Sequence, residues 1–412
     1  MTDSARQAPH YRWVIVAAVA AMLALSMGLL VNGLSVFFLP LEQAFGWPRS
    51  AVALINSVGL IGLALGGVAM GYAADRISIR VISLVGAVAL GLSVLAASQA
   101  ETLWQFYVLF FIAGAVGGGA IFAPLMALVG SWFRTGAGLA IGIAAAGQAI
   151  GQGGVPFGAA LLIESFGWRG ALLGLGAICL ITLVPLALLT RDPPGRVVGA
   201  AAANAADLSD DPTHLPNRVV VAWLSAAVLM CCTAMTVPLM HLVPLIQQQG
   251  ISATQASSVL FLMLIVAIAG RIFCGALADR IGAPLAWLIA SAWMTLLVFG
   301  FTWINSLGGF YLFAVVYGFG YAGVMTGVLT TTRSLTPASR RASSTGIVLA
   351  FGWLGHGLGG YQGGLFYDLT GAYTVTYANA ALAGLVNLAL VGGLLLTLRG
   401  RGTPALRARS AH

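Results

Sequence analysis

The sequence has no lysine: all 19 of its basic residues are arginine. Charge of either sign is scarce, at 7% of residues, while hydrophobic residues make up 59%. A soluble domain carries about 25% charged residues, so the composition excludes an ordinary soluble fold. The four cysteines (Cys179, Cys231, Cys232, Cys274) fall inside apolar runs and show no metal-ligand or disulfide spacing. No nucleotide loop, nucleophile motif or metal cluster is present, which argues against an enzyme and predicts no cofactor. The net charge of +8 does not mark a nucleic-acid binder, because the arginines gather at one set of helix ends.

What the chain does have is long apolar runs. A helix needs about 20 apolar residues to cross the hydrocarbon core. Such runs occur near 13–39, 51–73, 80–98, 103–129, 138–162, 170–190, 219–245, 255–278, 284–303, 309–332, 343–367 and 374–398. The first is too long for a signal-peptide core and reads as an uncleaved span. With the N-terminus in the cytoplasm, every arginine except Arg49, Arg169 and Arg271 lies in cytoplasmic loops or tails. The positive-inside rule then puts both termini in the cytoplasm. The expected location is the cytoplasmic (inner) membrane, with the chain a multi-pass monomer.

The longest loop, 191–218, is rich in Ala, Asp and Pro. It separates a six-helix half at 1–190 from a second at 219–412. The halves share a feature. Gly71-Tyr-Ala-Ala-Asp75-Arg76 follows the second run, and Gly275-Ala-Leu-Ala-Asp279-Arg280 follows the eighth. Arg134 and Arg333 also correspond. Recurrence about 200 residues apart signals internal duplication. Two six-helix halves describe an all-α membrane protein of major facilitator architecture.

Gly71, Asp75, Arg76 and Arg80 resemble that superfamily's G-x-x-x-D-R-x-G-x-R loop signature, with Ser78 in place of the second glycine. The resemblance implies secondary transport by alternating access. It also implies that Gly71, Asp75, Arg76, Gly275, Asp279 and Arg280 form a latch on the cytoplasmic side, the aspartates accepting charge-assisted hydrogen bonds.

Polar residues within the spans bear on the substrate. They are Asn32, Asn56, Gln148, Gln152, His241, Arg271, Tyr317, Tyr321 and His356. No acidic residue lies deep in a span. Arg271 is the one arginine in mid-span, where a charge costs roughly 2.5–3.5 kcal/mol on insertion scales. A buried cation without a buried carboxylate suits an organic anion, and a guanidinium holds a carboxylate in two parallel hydrogen bonds.

Arg271-Ile-Phe-Cys-Gly275 resembles the eighth-helix R-x-x-x-G of the monocarboxylate transporter family, in which the arginine holds the substrate carboxylate. The stretch from Gly359 to Tyr373 resembles a G-x-x-x-G-G-x-x-x-D-x-T-G-x-Y pattern shared with the oxalate–formate exchangers. There are departures. Tyr11-Arg12-Trp13 replaces the animal family's acidic-Gly-Gly-Trp lead-in. Its first-helix lysine has no equivalent, and its aspartate one turn before the arginine is Ala267. A proton, if coupled, then needs another carrier. His241 is placed where bacterial relatives carry a histidine, between Pro238 and Pro244, which are expected to disrupt the seventh helix. His356 is a second titratable candidate. Phe122 stands where a tyrosine often lines the fourth helix. With Gln148, Tyr321 and Asn32 it completes the expected substrate site.

The expected function is transport of a small monocarboxylate with a proton. The alternative is mono- or dicarboxylate exchange with His356 as second cation. A third reading is a non-transporting membrane sensor.

Overall fold

A computed structural model describes residues 8–74, 76–133, 137–192, 215–337 and 340–400. Among these the secondary structure is helical throughout. The first four passes are α1 (His10–Val36), α2 (Arg49–Ala74), α3 (Ile79–Ala97) and α4 (Leu103–Trp132). The continuous helical stretch Ala137–Leu189 holds two passes, α5 (137–166) and α6 (168–189), joined at Gly167. The remainder are α7 (Asn217–Gln247), α8 (Ala253–Ile281), α9 (Ala283–Trp303), α10 (Leu307–Leu335), α11 (Arg341–Thr370) and α12 (Thr374–Gly400). Among the described residues, ten stretches are long and apolar enough to span a bilayer. One of them contains both α5 and α6. The other pass outside that group is α11, whose glycines and polar residues dilute its hydropathy while leaving 30 helical residues.

Helix starts follow local chemistry. Thr102 and Gln105 form a reciprocal capping box at α4. Ser252 and Ser306 accept backbone N–H bonds from Gln255 and Gly309 at α8 and α10. Ser78, the departure from the loop signature, is the N-cap of α3 and accepts from Val81 N. The serine thus supplies a cap where glycine has no side chain to give one. Gly167 turns the chain between α5 and α6 at φ 68°, a left-handed value that glycine adopts without a Cβ penalty.

The chain divides into two compact units, Met1–Trp47 with Ala51–Ala202, and Pro48–Ser50 with Ala203–His412. Corresponding helices pair within each. In the first, α1 packs on α5, where a Cβ at Gly151 would overlap the Ala24 carbonyl. In the second, α7 packs on α11 along Gly355, Gly359 and Gly363, where Cβ atoms would overlap Leu229 O, Thr233 O and the His241 ring. Small residues at four-residue spacing let membrane helices approach backbone to backbone.

Two helices of the first unit depart from α geometry. Gly28–Asn32 of α1 and Ala113–Gly118 of α4 are π-helical, and Gly33–Val36 follows as a 3₁₀ turn. The second unit has no such segment in α7. That helix runs unbroken from Asn217 to Gln247 through Pro238 and Pro244, so the expected disruption does not occur. Proline removes one N–H each time, but the surrounding residues from Cys231 to Ile246 are all buried and hold the helix in register.

The lead-in Tyr11-Arg12-Trp13 ties the first unit together. Tyr11 donates to Leu189 O at 2.7 Å, its ring lies beneath Arg191, and Trp13 meets Phe133 edge-on. Arg80 of the loop signature donates from Nε to Thr190 O at 3.0 Å, binding the carbonyl just past the end of α6.

Candidate functional site

Arg271 lies on α8 where that helix touches α10. A Cβ at Gly270 would overlap Phe319 O, and one at Gly323 would overlap the Cys274 sulfur. The close approach brings Arg271 into electrostatic contact with Tyr321 of α10. Arg271 is half-buried and its Nε is sheltered from solvent without a hydrogen-bond acceptor. Among the described residues it makes no ion pair or hydrogen bond. An unsatisfied charged donor costs more than a neutral one, so the site favours an anion that would complete it.

Tyr321 stacks on Tyr317 at 6.0 Å between centroids, and Tyr317 meets Phe301 edge-on at 5.0 Å. The Tyr317 and Tyr377 hydroxyls are buried without partners. Arg271 therefore has an aromatic wall carrying hydroxyl groups on one side. Cys231 and Cys232 of α7 lie close to Tyr321 and are free thiols.

His241 is fully buried. Its Nε2 lies 2.8 Å from Gly360 O. A carbonyl only accepts, so Nε2 carries the hydrogen and Nδ1 is the acceptor nitrogen of the neutral ring. The ring lies against Gly363 and 5.5 Å from the Tyr373 ring. His356 of α11 is 6% exposed. Its Nδ1 donates to Gly352 O of its own helix at 3.1 Å, and Trp353 lies alongside at 5.6 Å.

The remaining expected substrate residues belong to the first unit. Asn32 is fully buried at the junction of the π and 3₁₀ segments, where its Nδ2 donates to Gln152 O at 3.0 Å. Its Oδ1 has no partner. Asn56 donates to Leu30 O and Val31 O, carbonyls of the π segment. Both asparagines therefore hold the irregular part of α1. Gln148 and Phe122 are half-buried on α5 and α4.

Of the expected latch, Asp75 lies outside the described residues. Arg76, Asp279 and Arg280 are exposed and make no side-chain hydrogen bond or ion pair among the described residues. Gly71 and Gly275 have room for a Cβ without overlap.

Sequence reasoning missed Arg49, which counted there only towards topology. It is 4% exposed and groups with the second unit. Its Nη1 donates to the Tyr373 hydroxyl at 2.9 Å, and its guanidinium lies 3.9 Å from the Tyr367 ring centre. Asp368 accepts from Arg49 N and Ser50 N, one on each oxygen, at 2.9 and 2.8 Å. Asp368 and Tyr373 belong to the pattern singled out in the sequence, and Arg49 is what they hold. Tyr373 touches both Arg49 and His241.

The Major Facilitator Superfamily profile matches residues 14–240 and 222–411. The chain belongs to the major facilitator superfamily. It is thus a multi-pass membrane protein of transporter type. Human (Homo sapiens) monocarboxylate transporter 11 is 28% identical over 383 residues, covering 89% of this chain and 79% of the relative. Monocarboxylate transporter 13 of Bos taurus is 26% identical, covering 94% and 89%. An uncharacterised transporter of the superfamily from Bacillus subtilis, YcxA, is 24% identical, covering 90% and 92%. Among solved structures, the nucleoside transporter NupG superposes with a TM-score of 0.74 at 14% identity, covering 93% of this chain and 99% of that one. A bacterial homologue of the human lysosomal transporter Spinster gives 0.69 at 16%, covering 96% and 97%. At these identities the two structures speak for the fold alone.

Proposed function

We propose that this chain is a secondary transporter of a small monocarboxylate, moved together with a proton by alternating access. The observation that carries this reading is Arg271, a sheltered guanidinium with no anionic partner among the described residues and a tyrosine beside it. A planar guanidinium and a carboxylate match in two parallel hydrogen bonds, and the Tyr321 hydroxyl is a third donor. Relatives named monocarboxylate transporters over most of the chain support the same substrate class.

His241 is the proposed proton carrier. Its Nε2 is committed to Gly360 O, so protonation at Nδ1 adds a charge without breaking that bond. Asn32, Gln148 and Phe122 are proposed to meet the rest of the substrate, and the loop residues Asp75 and Asp279 to latch the cytoplasmic face. The inner membrane is the proposed location, with both termini cytoplasmic and the monomer as the working unit. The alternative of anion exchange draws on His356, whose one hydrogen bond is to its own helix. Protonated at its second nitrogen, the ring would donate there to a second carboxylate.

Uptake of lactate-like acids into proteoliposomes tests the choice. Symport predicts accumulation when the outside is acidified. A strict requirement for preloaded counter-anion, with no response to the proton gradient, would replace symport by exchange.

A further inference from the structure

Pro156 lies inside α5. Proline has no N–H, so the carbonyl one turn back, Gln152 O, lacks the donor that the helical ladder would supply. Asn32 of α1 donates from Nδ2 to that same oxygen at 3.0 Å. An asparagine on one helix thus replaces the N–H that a proline withholds on another. Pro124, Pro185, Pro238 and Pro244 also lie inside helices. Among the described residues, no side chain donates to the carbonyls they leave open, those of Ala120, Ile181, Ala234 and Met240.

Asn32 sits where α1 is itself irregular, between the π segment and the 3₁₀ turn. Asn56 of α2 holds the same place through Leu30 O and Val31 O. The Asn32 bond belongs to neither helix's ladder, so it can open and close without unravelling α1 or α5. This level also divides how the two helices touch. N-terminal to it they meet backbone to backbone: Cβ atoms at Gly147, Gly151 and Gly28 would overlap Ala20 O, Ala24 O and Gly151 O. Gly158 follows Gly151 by seven residues and so shares its face. A Cβ there would meet nothing within 4 Å, and the nearest neighbours of one at Gly33 are Gly28 and Leu29 of α1 itself. The glycine lock therefore ends at the level of Asn32 and Pro156.

We propose that this level is a joint of the transport cycle. The C-terminal parts of α1 and α5, from Gly33 and Phe157 onward, pivot against their glycine-locked N-terminal parts. Asn32 is the positioning residue that clips the joint. With the bond made, the amide ties the irregular stretch of α1 to the open carbonyl of α5. With it released, α5 bends at Pro156, the usual place for a helix to kink, at the loss of one side-chain bond rather than a turn of helix. The inference rests on the chain's transporter type and not on the choice of substrate.

The test is a double-mutant cycle on the purified full chain. Pro156→Ala restores the N–H that Gln152 O lacks. Asn32→Ala is expected to lower the melting temperature by about 2–4 °C in the wild-type background. In the Pro156→Ala background the loss should be much smaller, because the carbonyl keeps a ladder donor. Equal losses in the two backgrounds would overturn the shared carbonyl. An Asn32→Ala chain that folds only together with Pro156→Ala would support it. In proteoliposomes, Pro156→Ala stiffens α5 and should lower the maximal rate of lactate uptake with KM unchanged. One net hydrogen bond shifts an equilibrium roughly 2- to 10-fold, and the rate should fall by that factor. A maximal rate equal to wild type, or a change in KM alone, would overturn the joint. Should the wild type take up no lactate-like acid, the carboxylate reading fails, and amide exchange at residues 157–160 decides the joint separately. Slower exchange in Pro156→Ala than in wild type supports it, and unchanged exchange overturns it.

Discussion

At the residue scale, the chain sets aside one arginine in the middle of a span. Lysine at position 271 would keep the charge and lose the planar fork. A hydrogen bond to a charged group is worth about 1.5–3 kcal/mol, so Arg271→Lys should reduce uptake about 10- to 100-fold while leaving the melting temperature near wild type. Unchanged kinetics would remove Arg271 from the site. Asn56 has a different kind of role. Its amide satisfies Leu30 O and Val31 O in the π segment of α1. Asn56→Ala should cost about 1–3 kcal/mol of stability, read as a lower melting temperature in a thermal-shift assay. The two residues differ in how readable they were. Arg271 stands out in any charge census because its cost has no visible offset. Asn56 stood in the sequence only as one of several polar residues within spans, since a sequence records polarity but not the bent carbonyls that the polarity serves.

At the element scale, glycines decide which helices touch. Gly359 and Gly363 were legible as part of a sequence pattern, but the ridge they form with Gly355, its partner α7 and its contact with His241 needed coordinates. Gly363→Ala forces a methyl into the imidazole. Overpacking costs typically about 1–3 kcal/mol, so this variant should melt lower and shift the pH dependence of uptake by displacing His241. Gly346→Ala is the control. A Cβ there meets nothing within 4 Å, and alanine in a helix is favoured over glycine by roughly 0.5–1 kcal/mol. Arg49 was misread for a reason that belongs to this scale. An arginine just before an apolar run reads as a loop charge whether it is solvated or buried, and only folding set it against Tyr367, Asp368 and Tyr373. Asp368→Asn leaves one acceptor oxygen for two N–H groups. It should lower the melting temperature and weaken the seating of Pro48–Ser50, measured as faster amide exchange at those residues. Pro238 and Pro244 mark the opposite error. A break was expected from the prolines alone, whereas burial along α7 keeps the helix continuous.

At the scale of the whole molecule, the fold was the most legible level. Twelve apolar runs, a long mid-chain loop and a loop signature repeated near Asp75 and Asp279 pointed to two six-helix halves before any contact was known. The residues of the candidate site were legible in type, because few polar groups occur in the spans. Their assignment to binding or to packing was not, because the same asparagine or tyrosine serves either end. The sequence also separates the arginines near helix ends from the one in mid-span. The central claim is that the latter binds a monocarboxylate whose passage is coupled to a proton. It is tested most directly by the initial rate of lactate uptake into proteoliposomes with the outside more acidic than the inside, against liposomes at equal pH. The account predicts faster uptake and transient accumulation under the gradient, both lost on adding a protonophore. Equal rates with and without the gradient would contradict it.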